Sequence, residues 1–95
     1  MFYVYILFSG KDRLLYTGFS PDLKARIEKH NNGFVKATKH RRPLKLIYYE
    51  AYHDELDARK REIYLKGGKG KSELKVQLQE VFNQLGYKYS DKKEV

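Results

Sequence analysis

Ninety-five residues carrying 41% apolar and 34% charged side chains fit one folded domain with a modest core, and exclude both a second core and a disordered chain. A net charge of +8 points to a polyanionic partner, nucleic acid first, because each phosphate neutralised by Lys or Arg releases condensed counterions. The absence of cysteine excludes disulfides and Cys-based metal sites and agrees with a reducing cytoplasm. The opening Met-Phe-Tyr-Val-Tyr-Ile-Leu-Phe lacks a basic leader and falls far short of a membrane span, so the expectation is a soluble cytoplasmic protein with no membrane partner.

Phe2 to Phe8 is a run of aromatic and branched residues that reads as a strand buried on both faces, with Tyr3, Tyr5 and Leu7 on one side and Val4 and Ile6 on the other. Leu14 to Thr17 reads as a second, antiparallel strand joined through a polar Gly-containing loop, which would bring Tyr5 and Tyr16 onto neighbouring strands. The chain then turns at Gly18 into a short helix, with Ser20 as N-cap, Pro21 in the first helical position and Asp22 in the positive first turn. Leu23 and Ile27 form its narrow apolar stripe, and Arg26 and His30, four apart, lie along the edge of that stripe. On spacing alone a snorkelling arginine and a packed core histidine explain the pair as well as a functional site does. Asn31-Asn32-Gly33 stops the helix.

Lys36, Lys39, His40, Arg41 and Arg42 crowd the next loop, either as a phosphate-binding rim or as a solvated charge run. Leu44 to Tyr52 reads as a third strand, apolar on both faces and so expected at the centre of the sheet. Asp54 caps a helix reaching about Lys66, in which Glu62 falls between Ala58 and Leu65 and faces inward. A carboxylate there belongs to an ion pair, a general base or a metal site, and spacing favours the ion pair. Gly68-Lys69-Gly70-Lys71-Ser72 imitates the end of a phosphate loop, but the preceding glycine and strand are missing, so no nucleotide cofactor is expected. Ser72 would cap a last helix striped by Leu74, Leu78, Val81, Phe82 and Leu85 and closed by Gly86, with residues 87–95 as a polar tail after a single domain of residues 1–86. The order strand, strand, helix, strand, helix, helix defines an α+β fold.

The tripeptides Tyr3-Val4-Tyr5 and Tyr16-Thr17-Gly18 on adjacent strands, followed by Arg26, His30 and Glu62 in that order, resemble the GIY-YIG nuclease family over roughly residues 2–66. The chain is most similar to the small standalone members related to the nuclease domain of bacterial excinuclease. The resemblance implies a three-stranded antiparallel sheet flanked by about three helices. It also implies a metal-dependent endonuclease acting on DNA, in repair or processing. Tyr3 replaces the glycine of the first tripeptide, Phe19 stands where the excinuclease branch has a lysine, and its late asparagine has no match.

Phosphodiester hydrolysis needs an activated water, charge stabilisation at phosphorus and help for the leaving oxygen. The resemblance implies that Glu62 holds one Mg²⁺ or Mn²⁺, that Arg26 clamps a phosphate oxygen, and that Tyr5, Tyr16 and His30 orient or deprotonate the attacking water. The alternative is a noncatalytic nucleic-acid-binding module on the same scaffold.

Overall fold

In a computed structural model that describes residues 1–87, the first strand is the spine of the molecule. β1 (Phe2–Ser9) lies between β2 (Leu15–Ser20) and β3 (Leu44–Tyr52), antiparallel to both, in the order β2-β1-β3. Its residues from Val4 to Ser9 are buried, as expected of the one strand covered on both faces and paired on both edges. Four helices complete the α+β fold: α1 (Leu23–Asn31), α2 (Glu55–Lys66), α3 (Gly68–Gln77) and α4 (Gln79–Leu85).

The sheet has two unlike faces. Val4 and Ile6 join Ala58 and Leu65 of α2, Leu74 of α3, Leu78, and Phe82 of α4 in the main core; burying such a side chain stabilises by about 1.5–3 kcal/mol. Tyr5 and Leu7 point the other way and pack beneath α1 and the loop that follows it, where His30, Val35 and Thr38 are also buried.

β3 is an edge strand, not the central one expected from its apolar run. A register shift explains the misreading. Ile6 pairs with Tyr48 but Leu7 pairs with Leu46, so Ile47 is an extra residue and the alternation changes face there. Tyr48, Glu50 and Tyr52 therefore share the face of Ile6, Val4 and Phe2, while Leu46 and Tyr49 share the face of Leu7 and Tyr5.

Three helix boundaries differ from the sequence expectation. β2 continues to Ser20, which pairs with Tyr3, so Ser20 cannot also cap the helix. Its hydroxyl instead accepts from the Asp22 amide at 3.0 Å, and Asp22 takes the cap by accepting from Ala25 N at 3.1 Å. Ser72 lies inside α3, which begins directly after Gly67. That tight corner requires Gly70, because a Cβ there would overlap the Tyr64 carbonyl and the Leu65 backbone; the glycine-rich stretch thus serves helix packing. The last helix is divided at Leu78, whose φ of −110° and ψ of 26° leave the helical region, and the break lets Leu74, Leu78 and Phe82 all stay buried. Tyr87, read from sequence as the first tail residue, packs on Phe8 and Phe82 with ring centroids 5.9 and 4.8 Å away. The rest of the expected tail, residues 88–95, lies outside the described residues.

Candidate active site

The β1–β2 register sets Tyr5 opposite Gly18 and Leu7 opposite Tyr16, so the two tyrosines are diagonal neighbours on one face, with ring centroids 6.4 Å apart. Gly18 makes this possible. The Tyr5 ring lies across the Gly18 backbone, and a Cβ at that position would overlap the ring and its hydroxyl. His30 comes up from the last turn of α1 against both rings, 5.5 Å from Tyr5 and 5.3 Å from Tyr16.

Tyr5 and His30 are both 0% exposed. The Tyr5 hydroxyl and His30 Nε2 are 2.7 Å apart, and His30 Nδ1 and the Thr38 hydroxyl are also 2.7 Å apart. Arg26 interacts electrostatically with both Tyr5 and Tyr16. A neutral imidazole has one donor and one acceptor nitrogen, so the Tyr5–His30–Thr38 chain runs in a single direction through the ring. Burial, aided by the Arg26 charge, lowers the His30 pKa from 6.5 to about 4. The ring is therefore neutral at physiological pH.

Burial pushes the Tyr5 pKa up; Arg26 opposes that rise, and charge on Tyr16 or Glu62 adds to it. Arg26 is locked further into its charged form, chiefly by Tyr5. One donor is left over. Arg26 Nε is buried and has no hydrogen-bond partner among the described residues, although such a group costs about 1–3 kcal/mol when unpaired. Tyr16, half-buried, is the tyrosine of the pair that solvent can reach.

Glu62 comes from α2, the helix layer on the opposite face, yet its charge acts on Tyr5. Its side chain is 19% exposed and pairs with Lys66 at 3.0 Å, one turn along the helix. No group of three or more His, Cys, Asp or Glu side chains that could hold a metal occurs among the described residues. One hard carboxylate is nevertheless a donor of the kind Mg²⁺ and Mn²⁺ take, because these ions keep most of their waters.

The five basic residues of the following loop differ in what they bond to. Arg41 donates to Asp12 at 2.6 Å and to the Leu15 carbonyl at 3.3 Å, tying the loop to the β1–β2 hairpin. Arg42 donates to the carbonyls of Lys39 and Asn31. Lys36, Lys39 and His40 are exposed and border an open depression with Phe34.

Two features escaped the sequence reading. Thr38 orients His30, and nothing in its spacing announced it. Glu50 accepts from the Tyr48 and Tyr52 hydroxyls, both at 2.6 Å, and from Arg61 at 2.9 and 3.0 Å, while Arg61 also reaches Glu73 at 2.7 Å. Burial would raise the Glu50 pKa, but these hydrogen bonds outweigh it and hold the carboxyl below its ordinary value. Tyr48 and Tyr52 are pushed up to about 12, first by burial and then by Glu50. A lone carboxylate in an apolar strand was the available signal.

The model of the GIY-YIG catalytic domain matches residues 1–75. The chain belongs to the GIY-YIG family. A UPF0213 protein of Clostridium perfringens is 48% identical over 67 residues, covering 70% of this chain and 71% of the relative. A UPF0213 protein of Staphylococcus saprophyticus is 44% identical over 75 residues, covering 78% and 90%, and one of Pediococcus acidilactici is 38% identical over 78 residues, covering 78% of each. No solved structure matches the chain. In GIY-YIG terms the two tripeptides are the touching segments of β1 and β2, and the family match takes in Arg26, His30 and Glu62 as well. Phe19 points to the other face, where it stacks on Phe2 at 6.3 Å and carries the Arg59 guanidinium 4.1 Å above its ring. No helix among the described residues is long and apolar enough to cross a membrane.

Proposed function

We propose that this GIY-YIG protein is a cytoplasmic endonuclease that hydrolyses phosphodiester bonds, with DNA as its substrate and Mg²⁺ or Mn²⁺ in support. The observation that carries this reading is Arg26: a half-buried guanidinium that interacts with Tyr16, the tyrosine of the pair that solvent can reach. A phosphate oxygen is the acceptor that suits the outer N–H groups of a guanidinium. Binding it would place the scissile phosphorus next to Tyr16.

Tyr16 would then orient the attacking water, and Arg26 would stabilise the charge that builds on the phosphate oxygens. Tyr5 and His30 are sealed from solvent, so their part is positioning: the Thr38–His30–Tyr5 chain fixes the Tyr5 oxygen, which fixes the guanidinium. Glu62 would hold the metal ion, which when bound neutralises phosphate charge and acidifies water. Supercoiled plasmid incubated with Mg²⁺ or Mn²⁺ should be nicked, EDTA should stop the reaction, and Arg26→Ala should slow it by about 100-fold or more. Failure of clean wild-type protein to cut plasmid, branched or single-stranded DNA with either metal would sink the proposal.

A further inference from the structure

The loop after α1 presents an aromatic ring that the fold does not use. Val35 is 6% exposed and packs inward, whereas its neighbour Phe34 is 76% exposed. The segment is nonetheless well held: Phe34 N donates to the Lys29 carbonyl at 2.9 Å and Gly33 N to the His30 carbonyl at 3.2 Å. Gly33, at φ +80°, takes a left-handed backbone that side chains rarely adopt and lies under the Arg42 guanidinium. Phe34 therefore stands on a braced platform beside an open depression of about 570 Å³, lined by Gly33, Phe34, Lys36, Lys39 and His40.

We infer that Phe34 stacks an unpaired nucleobase, while Lys36, Lys39 and His40 hold the phosphates on either side of it. Charge argues for this occupant over an apolar protein segment: the chain has no carboxylate between Glu28 and Glu50. An exposed π-face inside a cationic rim is the combination that binds single strands, because every base offers a face to stack on and each phosphate contact releases counterions. A base paired inside a duplex does not expose its face, so the loop selects unpaired nucleotides. The platform is also joined to the site, since Thr38 in this loop holds His30 and through it Tyr5. The inference rests on the nuclease reading for the direction of the strand toward Arg26.

The test measures binding in EDTA at low salt to three probes of one length: oligothymidine, a blunt duplex, and an abasic oligomer with the same backbone. Phe34→Ala should weaken oligothymidine binding about tenfold or more. Phe34→Trp should restore it, and Phe34→Ala should leave the duplex and the abasic oligomer within about twofold on the same scale. Equal weakening of all three probes, or of none, overturns the stacking site. A dimer abolished by Phe34→Ala would assign the face to a second copy and overturn it too. Cleavage separates the two readings: plasmid nicking with no Phe34 effect leaves the nuclease without the platform, whereas base-dependent binding without any cleavage leaves the platform without the nuclease.

Discussion

Replacing Tyr5 by phenylalanine removes one oxygen atom and keeps the ring over Gly18, so its consequence can be worked from a single hydrogen bond. In the native protein that oxygen is 2.7 Å from His30 Nε2, and both residues are fully buried. Without the hydroxyl, His30 Nε2 has no partner, and Thr38 occupies the other ring nitrogen. A buried polar group left without its partner costs about 1–3 kcal/mol. In a domain of this size each kcal/mol lowers the thermal midpoint by about 4–8 °C. The assay is a double-mutant cycle read by thermal unfolding, using Tyr5→Phe, His30→Leu and the double variant. If the bond is as drawn, the double variant loses less than the sum of the singles, with a coupling of about 0.5–3 kcal/mol. A Tyr5→Phe midpoint indistinguishable from wild type, or strict additivity, would refute the reasoning.

Acid should weaken the fold through His30: its pKa is about 4 when folded against 6.5 otherwise, so the unfolded chain binds the proton first. The stability is full above pH 6.5 and is lost as pH falls toward 4, by about 3 kcal/mol in all. His30→Gln should flatten that part of the stability-versus-pH curve, and an unchanged curve would remove His30 as its cause. Gly18→Ala should push the Tyr5 ring off the β2 backbone and destabilise by about 1–3 kcal/mol, visible as a lower denaturant midpoint with unchanged slope. Arg61→Met should strand the Glu50 carboxylate, raise its pKa and cost on the order of 3 kcal/mol; a neutral effect in urea unfolding would show that the Tyr48 and Tyr52 hydroxyls satisfy Glu50 alone.

The features legible in the sequence were those set by local geometry. The hairpin put Tyr5 near Tyr16, and the four-residue spacing set Arg26 and His30 on one side of α1. Asp54 capped α2 as its sequence position required, accepting from Leu56 N at 2.8 Å. The four-residue rule that links Glu62 to Lys66 was equally available in the sequence. Features decided by pairing over distance were not legible. Ile47 switches the face of β3 because the strand bulges against β1, and no period-two reading of Leu44 to Tyr52 contains that information. Ser20 had the right chemistry for an N-cap but was claimed by the sheet. Thr38 reaches His30 only because the loop folds back under α1, and Arg41 looked free until Asp12 was seen beside it.

The claim that joins these parts is that Glu62 supplies the negative charge that would hold the metal ion for cleavage. Glu62→Gln keeps the size of the side chain and removes its charge, so metal-dependent plasmid nicking should collapse while DNA affinity in EDTA stays or rises slightly as one repulsive charge is lost. Nicking and thermal midpoint are to be measured on the same preparations of wild type and variant. Lost nicking with an unchanged midpoint is the predicted result; undiminished metal-dependent nicking by a clean, folded Glu62→Gln protein would contradict it.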